Sequence, residues 1–336
     1  LYKAFVTNEA CVSRKNLVWL GTQVFNSLND HIDPYCPKTL DNQEIIAKAQ
    51  RAVQIYKKAL KIENKPSLHI KEAELFLEPA ALNLATLWGA LGEQEPQKKL
   101  LDKLHHKQTQ QSAWKWQYQG NTLYAWADSI KETQSEKALQ AFKTVMQKYN
   151  SDSHLFAAAS LHYARLLYKK NANSDNEVAI NSALKILNRL RMRKSLIQEP
   201  LHLEAAIDYA HILAATDPSP SMDEKLLSLL NQTKQHFSKT DDIWSKDYNA
   251  AREMHPEKEH IYQAYMMLID AHIARLQAKL SKGYERDAQA DAATSLYNSL
   301  QSPNFAVSKY LVDQAQSGLK AQRAIAPEKR NLFSDL

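Results

Sequence analysis

Glu204, Asp208 and His211 follow one another at steps of four and three residues, which on a helix sets two carboxylates and an imidazole along one side. Zinc accepts both ligand types, so this face is where the chain could build a hydrolase or lyase site, with or without a metal. A carboxylate three residues before a histidine is equally an ordinary pair on a helix surface, and the expectation is no metal and no cofactor. The other histidines offer less. His105 and His106 are adjacent and point apart, while His255 and His260 are five residues apart and do not align on one helical face; neither pair fits HExxH. Cys11 and Cys36 form no CxxC pair, and the sequence does not say whether they are bridged. A Gly-rich phosphate loop, a GxSxG elbow and a Cys-His nucleophile pattern are all missing, which weighs toward a protein that is not an enzyme.

The cations likewise allow two readings. Arg189, Arg191, Arg193 and Lys194 form a basic knot that could hold a phosphate or an acidic partner, and a helical nucleic-acid binder working through the cations from Lys185 to Lys194 is the second alternative. They also close a predicted helix, where the carbonyl end of the dipole stabilises positive charge, and that plain role is the expected one. Lys98, Lys99, Lys103 and Lys107 read as a solvated face. A net charge of +6 with a pI near 9.0 comes from interspersed charges of both signs, unlike the one-sided cation stripe of a dedicated nucleic-acid binder.

The elements that must carry these residues read as helices throughout, with 6 Gly and with most of the 11 Pro between periodic segments. Apolar residues at three- and four-residue spacings mark a helix from Arg14 to Leu28, and Asp41 is the expected cap of a second that runs to Asn64. Pro66 to Leu91 reads as two helical pieces kinked at Pro79, followed by a Lys-rich helix from Pro96 to Gln108. Paired helices are expected at Ala113–Lys131 with Ser135–Tyr149 (Ser135 as cap), Leu155–Lys170 with Glu177–Arg193, and Leu201–Ala215 with Met222–Phe237. Asp241–Met254, Glu257–Leu280, Tyr284–Leu300 and Asn304–Ala324 close the array ahead of a charged tail. No run approaches the roughly 20 apolar residues of a membrane span. The chain begins at Leu1, so an anchor or signal peptide ahead of it stays open, and with it the location: cytoplasm, or the extracytoplasmic face of an anchored protein.

Three of these helices share a shape. Tyr124–Ile130, Ser160–Leu167 and Ala206–Leu213 each set an aromatic beside a small residue, and the steps of 37 from Ala127 to Ala164 and 46 from there to Ala210 lie near the length of a helical hairpin. Ala52, Tyr56, Ala59 and Leu60 give the order small, aromatic, small, leucine. Ala138, Phe142 and Val145 repeat it, as do Ala293, Tyr297 and Leu300, while Ile180, Leu184 and Leu187 keep the spacing without the small residues. This order resembles the second helix of a tetratricopeptide repeat. The resemblance covers about half the chain, from Asp41 to Asn64 and from Ala113 to Phe237; Asn64 and Asn150 stand where the family closes its unit with proline.

The resemblance implies an all-α fold, a right-handed superhelix of antiparallel helical hairpins. Its parts would be an N-terminal helical region over 1–112 that includes the repeat-like helix 41–64, the best-defined repeats over 113–240, closing helices over 241–326 and a tail over 327–336. It further implies a concave groove lined by first helices, in which positions three before and one after each small residue look inward: Tyr124 with Asp128, Leu161 with Arg165, and Ile207 with His211. Such a groove suits a peptide or helix of a partner protein, as in an adaptor or assembly factor. The plain alternative is that Leu161 and Ile207 are core. Trp114, Trp116, Tyr118, Tyr124 and Trp126 crowd one stretch and occupy two sides of a helix, as a helix sandwiched between layers would need.

Overall fold

The computed structural model describes residues 13–28, 32, 40, 42–62, 72–111, 117–149, 153–174, 176–193, 200–239, 256–302 and 309–323. Among them the chain is all-helical, without a strand. The helices are α1 (Arg14–Asn26), α2 (Gln43–Leu60), α3 (Glu78–Ala90), α4 (Gln94–Gln110), α5 (Gln119–Ile130), α6 (Ser135–Lys148) and α7 (Ser153–Asn171). They continue with α8 (Glu177–Arg191), α9 (Pro200–Thr216), α10 (Pro220–Lys239), α11 (Pro256–Leu280), α12 (Gly283–Leu300) and α13 (Lys309–Arg323). No helix of the described residues is long and apolar enough to cross a membrane.

The chain divides into two compact units, Leu1–Leu166 and Leu167–Leu336. The boundaries expected at 112 and 240 fall outside the described residues, as do Cys11, Cys36, Trp114, Trp116, Lys194, His255 and the segment 241–254. In the first unit each helix from α1 to α6 packs on the next, and α1 also touches α3. In the second unit the same holds from α8 to α13, with further contacts of α9 to α11 and of α11 to α13.

Local sequence explains these elements. Asn42 caps α2, its side-chain oxygen accepting from the amides of Glu44 at 2.9 Å and Ile45 at 3.3 Å; the cap stands one residue after the expected Asp41. Ser135 opens α6 as its first helical residue and does not cap it, since Gln134 holds that position without a side-chain hydrogen bond. Proline also acts differently from the expectation. A 3-10 turn over Glu72–Leu77 runs into α3, whose first turn holds Pro79, so the proline starts this helix and does not kink it. There its missing N–H removes a donor that would have no partner inside the helix anyway.

The small-aromatic-small order marks packed helix faces. Ala52, Tyr56, Ala59 and Leu60 on α2, Ala138, Phe142 and Val145 on α6, and Ala293, Tyr297 and Leu300 on α12 are all fully buried. Glycines on neighbouring helices make room for two of the rings. A Cβ on Gly21 of α1 would stand 2.7 Å from the Tyr56 ring, and one on Gly318 of α13 would collide with Tyr297. Glu78 ties α3 to the start of α5. Its buried carboxylate accepts from the backbone amides of Gln117 and Tyr118, both at 3.0 Å, and from Gln108 Nε2 at 2.7 Å; Gln108 donates also to Thr122 at 3.1 Å. The two amides just ahead of α5 thus find their acceptor on another helix. Burial pushes the Glu78 carboxyl up, and its three hydrogen bonds only partly offset that.

Candidate functional site

The first unit holds a cavity of about 200 Å³ on the face shared by α1, α3 and α5. Pro79, Asn83 and Thr86 of α3 line one wall, and Tyr118, Asn121, Tyr124 and Asp128 the other. The last four recur at three- and four-residue steps, so one face of α5 presents them together. Asn83 donates to the hydroxyl of Tyr56 at 2.9 Å, which fixes this amide from behind.

Asp128 is the electrostatic centre of this end of the unit. Lys131 Nζ lies 2.6 Å from its carboxylate and His162 Nδ1 lies 3.5 Å away. Burial alone would raise the Asp128 carboxyl, but His162, Lys131 and Arg165 outweigh it and hold the group below the ordinary carboxylate range. His162 stacks on Phe142 at 5.6 Å with 19° between the rings and meets Tyr124 edge-on at 5.8 Å. Burial, reinforced by Lys131 and Arg165 against the pull of Asp128, lowers this imidazole to about 3. It is therefore neutral at physiological pH.

The structure thus brings Tyr124, Asp128 and Arg165 together. It adds His162, which the spacing rule passed over in favour of Leu161 next to it. The apolar positions are core: Tyr124 is 3% exposed, Leu161 0% and Ile207 2%, so Leu161 and Ile207 follow the plain alternative, while Tyr124 shows one edge to the cavity. Nothing in the residue types marks His162 in advance; its position one residue after Leu161 was the only available signal.

In the second unit His211 is exposed on α9, whereas Glu204 and Asp208 are buried. Tyr265 donates to Glu204, and Tyr310 donates to Asp208 at 2.8 Å. These bonds join α9 to α11 and α13 through the interior. Among the described residues no group of three or more His, Cys, Asp and Glu side chains is placed to hold a metal ion. In the basic knot Arg189 is exposed, and the Arg191 guanidinium lies 4.8 Å from the centre of the Tyr209 ring on α9, a cation–π contact that gives this cation a packing role. In comparisons with known proteins, the chain matches no protein family and no curated protein.

Proposed function

We propose that this chain is a non-catalytic protein-binding scaffold, a tetratricopeptide-like stack of helical hairpins that holds a peptide or helix of a partner protein. The observation that carries this reading is the cavity on the α1, α3 and α5 face, where apolar walls surround Asn83, Asn121 and Asp128. Amides and a carboxylate suit backbone and side-chain N–H donors of a guest, and a volume of about 200 Å³ admits an apolar anchor. Three lines support the repeat reading. The small-aromatic triplets are buried, glycines stand against Tyr56 and Tyr297, and alternate helices touch in the pairs α1 with α3, α9 with α11 and α11 with α13. In this reading the inward-facing positions of the first unit are Asn121, Asp128 and Arg165, with His162 as their support.

The test is a quantitative pull-down from cells with the wild type and with Asn121→Trp and Arg165→Glu. Asn121→Trp fills the cavity and Arg165→Glu reverses a charge beside it. Both variants are expected to lose the principal partner while the helical circular-dichroism signal stays unchanged. An unaltered partner set with an intact fold removes this face as the binding site.

A further inference from the structure

We propose that the groove between α4, α5 and α6 is a second docking surface, which takes an acidic segment of a partner protein. The groove encloses about 490 Å³, and its apolar part is Leu123, Trp126 and Tyr149. Lys137 and Lys148 stand on its α6 wall, both exposed. The other lining side chains are amides, hydroxyls, a histidine and an alanine, and none of the lining residues is a carboxylate. Asp102 on α4 lies close by but accepts from Trp126 Nε1 at 2.7 Å, while neither lysine pairs with a carboxylate among the described residues. The α6 wall thus carries two lysines that no carboxylate pairs, against Asp102 on the α4 side, and a guest supplying carboxylates is the complement of that wall.

Geometry sets the guest's scale. Lys137 and Lys148 are eleven residues apart on one helix, about 16 Å at 1.5 Å per residue. An extended chain covers that in about five residues, so carboxylates at that separation reach both lysines while an apolar side chain between them meets Leu123 and Trp126. A nucleic-acid strand fits less well: the His105 ring, stacked at 4.1 Å and 22°, already takes one of the two faces of Trp126 on which a base could lie.

This surface is independent of the first. Tyr118, Asn121 and Asp128 face the cavity described above, while Gln119, Leu123 and Trp126 face the groove. At about 100° per residue the two sets lie roughly 200° apart around α5.

Fluorescence anisotropy on the full chain tests the proposal, with a labelled peptide of glutamates and leucines as probe. Its counterpart with lysine for every glutamate, and a single-stranded oligonucleotide of equal charge, serve as controls. Binding of the glutamate peptide is expected to weaken about tenfold or more in Lys137→Glu/Lys148→Glu and on raising salt from about 50 to 300 mM. Asn121→Trp should leave it unchanged, which separates this site from the α1, α3 and α5 face. Equal binding of the lysine peptide, an unaltered affinity in the double variant, or an oligonucleotide that binds as tightly would each overturn it. Hydrogen exchange gives a second readout: absence of protection over 137–148 in the peptide-bound chain would also overturn it.

Discussion

His162 and Glu78 are buried titratable groups held by opposite logic. His162 sits on the Phe142 ring with its pKa lowered to about 3, so the folded chain refuses a proton that the unfolded chain takes up near 6.5. A folded value below the unfolded one means that this contribution to stability is complete above about pH 6.5 and is lost as pH falls toward 3. The depressed Asp128 carboxyl acts in the same sense at lower pH. The slope from His162 alone is at most about 1.4 kcal/mol per pH unit. Urea midpoints measured between pH 7 and pH 4 should therefore fall, and His162→Gln, which does not titrate, should flatten the fall; an identical slope in the variant would mean that other groups govern acid unfolding. Glu78 asks what its three N–H donors need, a charge or merely an oxygen. Burial raises its carboxyl, so the charge itself is disfavoured. Glu78→Ala should cost about 3 kcal/mol because it takes the acceptor from three N–H donors, one of them on the buried Gln108, and Glu78→Gln only about 1 because an amide oxygen still serves some of them. Equal losses in chemical denaturation would instead make the carboxylate's charge the essential feature.

At the scale of the helix, close approach decides stability where propensity would argue the other way. Replacing a glycine inside an exposed helix by alanine gains about 1 kcal/mol from backbone entropy. Gly21 faces the fully buried Tyr56, and a Cβ there would stand 2.7 Å from the ring. Displacing a packed tyrosine between α1 and α2 costs about 1–3 kcal/mol, so the clash outweighs the gain. Gly21→Ala is expected to lower the melting temperature, and Gly21→Val to lower it further; a rise with alanine would show that the α1–α2 contact yields easily. This contact also shows what the sequence makes legible. Helices α2, α6 and α12 could be read because small residues, aromatics and leucines recur at the period of one buried face. Gly21 could not be tied to Tyr56, because its partner lies 35 residues away in the sequence, beyond the reach of a helical period. Pro79 was ambiguous for a related reason: a proline reads alike at a kink and at a first turn until the preceding residues are known to form a 3-10 turn. For the site, Asp128 and Arg165 lay within reach of a spacing rule, whereas the burial of Leu161 and Ile207 was not, since apolar side chains on the inner and packed faces of a helix leave the same pattern.

At the scale of the whole molecule, packing between consecutive helices predicts how damage spreads. Tyr297 is fully buried, with its hydroxyl 2.9 Å from His272 Nδ1 and its ionisation pushed up to about 12 chiefly by burial, so it joins α12 to α11 while Gly318 of α13 fits against its ring. The core around it, which includes Leu268, Ala293, Leu311 and Ala315, belongs to the second unit. A fold whose helices contact mainly their neighbours in the chain has stability that is close to a sum of local terms and interfaces. A defect then loosens its own neighbourhood before it reaches distant helices. Gly318→Val should drive Tyr297 out of place and speed amide exchange throughout α11, α12 and α13, while exchange in α1 to α4 keeps its wild-type rates. Hydrogen exchange followed by mass spectrometry reads both regions in one experiment. A uniform acceleration from α1 to α13 would mean that the chain opens as one cooperative body, and the description of its stability as a sum over neighbouring helices would have to be given up.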